Sequence, residues 1–329
     1  MATSLKNMKA AVLGLAAAAA LALPAVAADG WPSKRLTIIV PYSAGGATDV
    51  LARQVAELLG NDLDETVTVE NRPGAGATLG TTQAAIARPD GYTLFMGQVS
   101  SHGIAPAVYK NLQYDPIEDF SPVTLLISIP NVMVVNQESS ATSVAEFITM
   151  ARDGGMTFGS SGVGSSIHLS GEMFKSRTGL ELTHVPFRGS GEAVPALLAG
   201  DVDVMFDNLP SAIPHIQSGA LRALAVTTPE PAEALPEVGT LSESGIDGLE
   251  GFAARSWFGI LVQDDVDPGI VAKLSDALNR VIATPEFEAF AETRGAQIEG
   301  GTPQAFASFI DEELEKWRVV VDEAGVSVE

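Results

Sequence analysis

The sequence predicts an α/β fold of two lobes, with mainly parallel sheets flanked by helices. Three observations carry this. Strand-like apolar runs alternate with helical patterns almost from the start of the chain. The layout restarts midway, at Thr157-Phe158-Gly159. And 329 residues are enough for two hydrophobic cores.

At the amino terminus, Lys6 and Lys9 precede an uncharged apolar stretch over 10–28 that contains Ala25-Val26-Ala27. A positive region, an apolar region and a small-x-small site together predict a signal peptide over 1–27, cleaved after Ala27. The stretch is mostly alanine, carries Pro24 and lacks a basic stop-transfer cluster, which argues against a retained anchor.

The apolar run 36–40 then reads as a buried strand. After a turn comes a helix with Leu51, Val55, Leu58 and Leu59 on one face and Thr48 or Asp49 as its N-cap. Further strands are expected at 67–70, 93–96, 122–127 and 130–135, the last near a crossing point between lobes. In the second half, 157–159, 184–187, 202–206 and 221–227 read as strands, and 229–238 as a surface loop rich in proline and glutamate. The run 256–262 is placed to cross back to the first lobe. Helices are expected from Ser166 and, with proline in the first turn, from Pro268, Pro285 and Pro303. The last carries Phe306, Ile310, Leu314, Trp317 and Val321 on one stripe, and its acids Asp311, Glu312, Glu313 and Glu315 read as a solvated face.

Composition narrows the function. Hydrophobic residues at 46%, charged residues at 18% and a mean hydropathy of +0.21 describe a globular chain, not a disordered one. Nineteen basic against 41 acidic residues give a net charge of −22, which becomes −24 once Lys6 and Lys9 leave with the signal peptide. Nucleic acid and anionic membrane surfaces are thereby poor partners. With no cysteine there is no disulfide, thiolate metal site, cysteine nucleophile or acylated-cysteine anchor.

Two loops stand out because they are alike. Ser43, Ala44, Gly45, Gly46, Ala47, Thr48 and Asp49, preceded by Tyr42, link a strand to a helix; so do Ser160, Ser161, Gly162, Val163, Gly164, Ser165 and Ser166. Such a turn points backbone N–H groups above the sheet edge, and the helix dipole favours an anion there. Glycine permits close approach, and hydroxyls add donors. Either loop alone fits a plain strand-to-helix connection equally well. One in each lobe points to a cleft that grips an anion from both sides.

Enzyme motifs are weak. Residues 74–80 resemble a dinucleotide fingerprint whose third glycine is one residue late, and they read instead as a turn that starts a helix. No P-loop or HExxH occurs, and His102, His168, His184 and His215 are too far apart in sequence for a local metal motif. A nucleophilic Ser160 or Ser161 with His168 is conceivable, but the GxSxG elbow is missing. Of Asp201, Asp203 and Asp207, we expect edge solvation and one site residue, Asp207, in preference to a metal cluster.

Trp31-Pro32 followed by the run from Ile39 to Asp49 resembles the opening of the extracytoplasmic binding proteins of tripartite tricarboxylate transporters, the Bug family. Val69-Glu70-Asn71-Arg72-Pro73-Gly74, Pro89-Asp90-Gly91-Tyr92, Tyr114-Asp115-Pro116, Val185-Pro186-Phe187-Arg188-Gly189, Asp203 to Asn208, Ser256-Trp257-Phe258-Gly259 and Gly300-Gly301-Thr302-Pro303 extend the likeness in order along the mature chain. The resemblance implies a two-lobed periplasmic binding protein fold with the ligand cleft between the lobes. Lobe I is expected over 28–128 and 253–329, lobe II over 129–252. It implies capture of a small organic carboxylate, a di- or tricarboxylate foremost, and delivery to the transporter's membrane subunits by a monomer with no cofactor, no metal and no catalytic residue. The ligand would lie against the two loops and the segment with Gln98, Ser100, Ser101 and His102. His168, Phe187 and Asp207 are further candidates from the sequence. Arg188, which follows the apolar run Val185-Pro186-Phe187, falls at a strand end, where it either meets a second ligand carboxylate or lies on the solvated surface. Ala47 stands where the family commonly has glycine, and Arg188 where it has lysine. The alternatives are a secreted serine hydrolase using Ser161 and His168, and a carboxylate sensor of the same fold.

Overall fold

β-Branched and leucine side chains fill the first strand, β1 (Leu36–Val40), and burial is complete at Leu36, Ile38 and Val40. The computed structural model describes residues 30–327, so the expected signal peptide lies outside the described residues. Every element below belongs to one unit, Pro32–Glu329.

After β1 come α1 (Ala47–Leu63), β2 (Val67–Asn71), α2 (Thr78–Ala85) and β3 (Thr93–Gln98). A π-helical turn (Ser100–Ile104) and the short α3 (Ala105–Val108) precede β4 (Phe120–Asn136). The second half runs α4 (Val144–Ala151), β5 (Thr157–Ser160), α5 (Ser166–Thr178), β6 (Thr183–Pro186), α6 (Ser190–Ala199), β7 (Val204–Asn208), α7 (Leu209–Gln217) and β8 (Leu221–Val226). The chain closes with β9 (Arg255–Gln263), α8 (Pro268–Ile282), α9 (Pro285–Glu292), β10 (Gln297–Ile298) and α10 (Pro303–Ala324).

The strands form one curled sheet in the order β2-β1-β3-β9-β4-β7-β5-β6, with β10 and β8 also paired to β4. Each half carries a parallel trio, β2-β1-β3 and β6-β5-β7. Between them β9 and β4 run antiparallel and join the halves.

Three expectations are corrected here. The strands expected at 122–127 and 130–135 are one strand, β4, whose first part pairs with β9 and whose last part pairs with β7 and β8. Pro122 and Pro130 do not end it. Proline removes one ladder donor, and the register shift between Pro122 and Thr124 absorbs the first. The N-cap of α1 is Gly46, two residues ahead of Thr48 and three ahead of Asp49, the expected caps. And Glu313 is not solvated. It is 5% exposed, and its Oε2 accepts the indole N–H groups of Trp257 at 3.0 Å and Trp317 at 2.9 Å. The rest of the stripe on α10 does face the core, with Phe306, Ile310, Trp317 and Val321 buried and Leu314 packed against it.

Candidate ligand-binding site

Strand β1 and strand β5 are the middle strands of their trios, and both end at the same place. From each carboxyl end the chain turns into a helix, α1 or α5, and the two turns meet across one small cavity. Ligands of open α/β sheets bind at such strand ends. Tyr42, Gly46, Ala47, Thr48 and Gln98 line it from the first half; Ser161, Ser165, Ser166, Ile167, Ser190 and Asn208 line it from the second. No lysine, arginine or histidine is among these lining residues. The cavity admits the centre of a water-sized sphere over only about 10 Å³, room for about one water. As the halves stand, nothing larger fits between the two turns.

The donors facing this space come mainly from backbone. No side chain caps α1, whose first residues Ala47 and Thr48 line the cavity together with the N-cap Gly46. Asp49 fixes the turn from behind. Its carboxylate accepts the Gly45 N–H at 2.9 Å, Asn71 Nδ2 at 2.9 Å and two Arg53 nitrogens. Burial opposes the Asp49 charge, but those hydrogen bonds and the Arg53 charge outweigh it and hold its pKa below the ordinary value. Gly45 takes φ +87°, a conformation that glycine adopts without a Cβ penalty. On the other side Ser165 caps α5 by accepting the His168 N–H, and the Ser166 N–H donates to Ser100 Oγ across the seam at 3.1 Å.

Two buried donors face no partner. Gln98, 3% exposed and lining the cavity, has an unpaired Nε2; Ser43 Oγ, on the first turn next to Gly189 and outside the cavity lining, is likewise unpaired. A buried amide donor left unmade costs about 1–3 kcal/mol, so a ligand oxygen there is favoured. Behind Gln98 the π-helical turn is knotted by Ser101, whose Oγ donates to Gln98 O and lies 2.8 Å from His102 Nδ1. His102 is wholly buried among Phe95, Tyr114 and Phe120, and burial lowers its pKa to about 3. It supports the turn from the core, without lining the cavity.

The other expected site residues divide. Asp207 is buried behind Ser190, whose Oγ donates to it at 2.5 Å, with Ser211 Oγ donating at 2.7 Å. Burial raises its pKa against those hydrogen bonds. Asp203 instead pins β5 through the Thr157 N–H and hydroxyl, and Asp201 is exposed. Phe187 packs on the second-half core. Arg188 is placed differently from the sequence argument. Its side chain is 69% exposed and engages Glu192 at 3.0 Å, while only its carbonyl meets the site, accepting the Ser43 N–H at 3.2 Å. Glu192, four residues on in the first turn of α6, outcompetes the cleft for the guanidinium.

The serine–histidine alternative also loses its geometry. Ser161 Oγ pairs with Ser190 Oγ, and His168 Nδ1 accepts the Gly164 N–H at 3.2 Å. Ser160 Oγ does reach His184 Nε2 at 2.6 Å, but Ser160 is wholly buried and does not line the cavity. Among the described residues no group of three acidic or histidine side chains is placed to hold a metal ion. Sequence reasoning missed three lining residues, Ile167, Ser190 and Asn208. Ser190 opens α6 after Gly189, Asn208 ends β7 and caps α7, and Ile167 lies in the first turn of α5, so a junction into a helix was the signal available for each.

Comparison with known proteins decides the family. The model of the tripartite tricarboxylate transporter family receptor matches residues 51–326. The chain belongs to this receptor family. Protein BugT of Bordetella pertussis is 35% identical over 97% of this chain and 98% of its own. The structure of the periplasmic binding protein BugD is similar with a TM-score of 0.87, at 31% identity over 91% of this chain and all of its own. MatC of Rhodopseudomonas palustris, solved with bound malate, is similar with a TM-score of 0.84, at 31% identity over 88% of this chain and all of its own. A further R. palustris protein, solved with adipate, shares 33% identity and a TM-score of 0.86 over 90% of this chain and 99% of its own. The two-lobed α/β fold and the role of a solute-binding protein of this tricarboxylate receptor family follow.

Proposed function

We propose that this protein captures a small organic dicarboxylate or tricarboxylate in the periplasm and delivers it to the membrane subunits of a tripartite tricarboxylate transporter. The observation that carries the reading is the cavity where the uncapped amino end of α1 meets the 160–166 turn, lined by hydroxyls, amides and backbone N–H groups. Such a set is complementary to carboxylate oxygens and supplies no acid–base pair. Relatives solved with malate and adipate support the ligand class. The lobes are taken as 28–128 with 253–329, and 129–252, the boundaries falling where β4 and the segment before β9 pass between the halves. The signal peptide over 1–27, monomeric state and absence of catalysis are part of the same proposal.

Magnitudes are consistent with it. Micromolar binding needs about 8 kcal/mol. Hydrogen bonds to a charged group give about 1.5–3 kcal/mol each, so four or five reach that before association costs. Thermal-shift screening against mono-, di- and tricarboxylates, followed by calorimetry, tests the reading. A di- or tricarboxylate is expected to raise the melting temperature and bind at micromolar Kd. No shift with any carboxylate, alongside turnover of activated esters, would replace it with the hydrolase.

A further inference from the structure

Away from the cavity the two lobes touch at a second seam, built from backbone and one phenol. The Tyr109 hydroxyl, just after α3, lies 2.7 Å from the carbonyl oxygen of Val163 and 3.0 Å from that of Ala75. Val163 belongs to the second lobe's anchor turn, and Ala75 to the turn 74–77 of the first. One hydroxyl proton is thus shared between carbonyls of opposite lobes. Tyr109 does not line the ligand cavity.

The backbone is shaped for this contact. Gly76 has φ +59°, and a Cβ there would overlap the Val163 carbonyl. A Cβ on Gly162 would come within 3.0 Å of Gly76 N, and one on Gly164 within 2.9 Å of the Tyr109 ring. Three glycines therefore remove the side chains that would keep the two turns apart. Flanking Gly76, Ala75 at φ +47° and Ala77 at φ +89° hold the left-handed region without being glycine. That conformation costs an alanine free energy, and it is retained at the point of interlobe contact.

We propose that Tyr109 and the 74–77 turn form a latch that holds the lobes closed, making Tyr109 a positioning residue for affinity that never contacts ligand. The proposal rests on the reading that the lobes close over a ligand. Every ligand that requires closure gains the same free energy from the latch, whereas a ligand contact discriminates between ligands. Tyr109→Phe removes the shared hydrogen bond and nothing else. Gly76→Ala is sharper. An alanine at this left-handed position is strained in both states, as Ala75 and Ala77 beside it are, but only in the closed seam does its methyl group also overlap the Val163 carbonyl.

The chain has no cysteine, so paired dyes go on cleanly at Asn111→Cys and Glu181→Cys, exposed positions of the first and second lobe. Single-molecule energy transfer without ligand is expected to show a closed population that Tyr109→Phe depletes about three- to tenfold, the scale of one hydrogen bond, and that Gly76→Ala abolishes. Melting temperatures of the open state stay within a few degrees. Malate and adipate affinities fall by the same factor in Tyr109→Phe. Superimposable distance distributions for wild type and Gly76→Ala overturn the latch, as do unequal losses for malate and adipate. Failure of the wild type to bind any carboxylate overturns the ligand reading instead, and the dye distances still decide the latch.

Discussion

The imidazole of His168 accepts the Gly164 N–H at Nδ1 and lies 4.1 Å, centroid to centroid, from that of His184, which in turn stacks on Phe158. Accepting an N–H requires a neutral ring. Burial, then the charges of His184 and Lys175, lower the His168 pKa to about 3; burial and Lys175 lower that of His184 to about 4. Glu172, on the same helix, faces His168 Nε2 at 3.7 Å but also engages Lys175. An unfolded histidine titrates near 6.5, so between about pH 6.5 and 4 the unfolded chain takes up protons that the folded chain refuses. Stability therefore falls as pH falls through that window, by up to about 1.4 kcal/mol per pH unit for the buried His168. The raised Asp207 works in the opposite direction, but it is one group against His102, His168 and His184. Melting temperature is expected to drop steadily from pH 7 to 4.5, and His168→Asn, which keeps an acceptor but cannot titrate, to flatten the slope. Parallel profiles for the two proteins would show that the His168 ring takes up its proton in the fold just as it does in the unfolded chain. Residue patterning exposed His168 as a site candidate but not its neighbour in space, because His168 sits on α5 and His184 arrives from strand β6.

Helix α10, at 22 residues the longest of the described helices, packs an apolar stripe on the core, and within it one acid turns inward. Glu313 binds two indoles, from β9 and from its own helix, and Lys316 at 2.8 Å. Glu313→Ala orphans two buried N–H donors at about 1–3 kcal/mol each, a predicted loss of about 2–5 kcal/mol. Glu313→Gln keeps one acceptor oxygen and is expected to lose less than half of that. Equal losses in urea titration would mean that the carboxylate charge, facing Lys316 and two indole N–H groups, and not a retained acceptor oxygen or side-chain volume, holds the element. The elements themselves were largely legible. Pro268, Pro285 and Pro303 each open their helices at the first position, after the caps Asp267, Thr284 and Thr302. Glu313 was not, because helical periodicity assigns an acid flanked by acids to solvent and carries no information about a tryptophan 56 residues away. For the same reason β4 read as two strands: proline in a sequence signals a break, and only the register of its neighbours shows that the ladder continues around it.

At the scale of the whole molecule, charge and site oppose each other. The chain carries −22 overall, its proposed ligand is anionic, and no cation lines the cavity. Alternation of strands and helices, and the two Gly/Ser turns, made the fold class and the anchoring loops readable in advance; closeness of the lobes was not, since it depends on contacts such as Ser43 with Arg188 and Tyr109 with Val163 that join distant segments. The missing cation has a measurable consequence. Treated as a point charge ~20 Å from the ligand in water, the net charge repels one ligand charge by about 2 kcal/mol at 10 mM salt and about 0.4 kcal/mol at 150 mM, given Debye lengths of about 30 and 8 Å. The short-range donors are screened little, because they act inside a closed cavity. Raising salt over this range should therefore strengthen carboxylate binding, by at most about twentyfold per ligand charge and more steeply for a tricarboxylate than for a monocarboxylate. A site anchored by lysine or arginine gives the reverse sign, since screening weakens its attraction. Calorimetry in two salts with different anions separates screening from competition for the cavity. Affinity that falls with ionic strength in both salts would place a cation against the bound ligand after all, and the exposed Arg188, swung from Glu192, would be the first residue to replace.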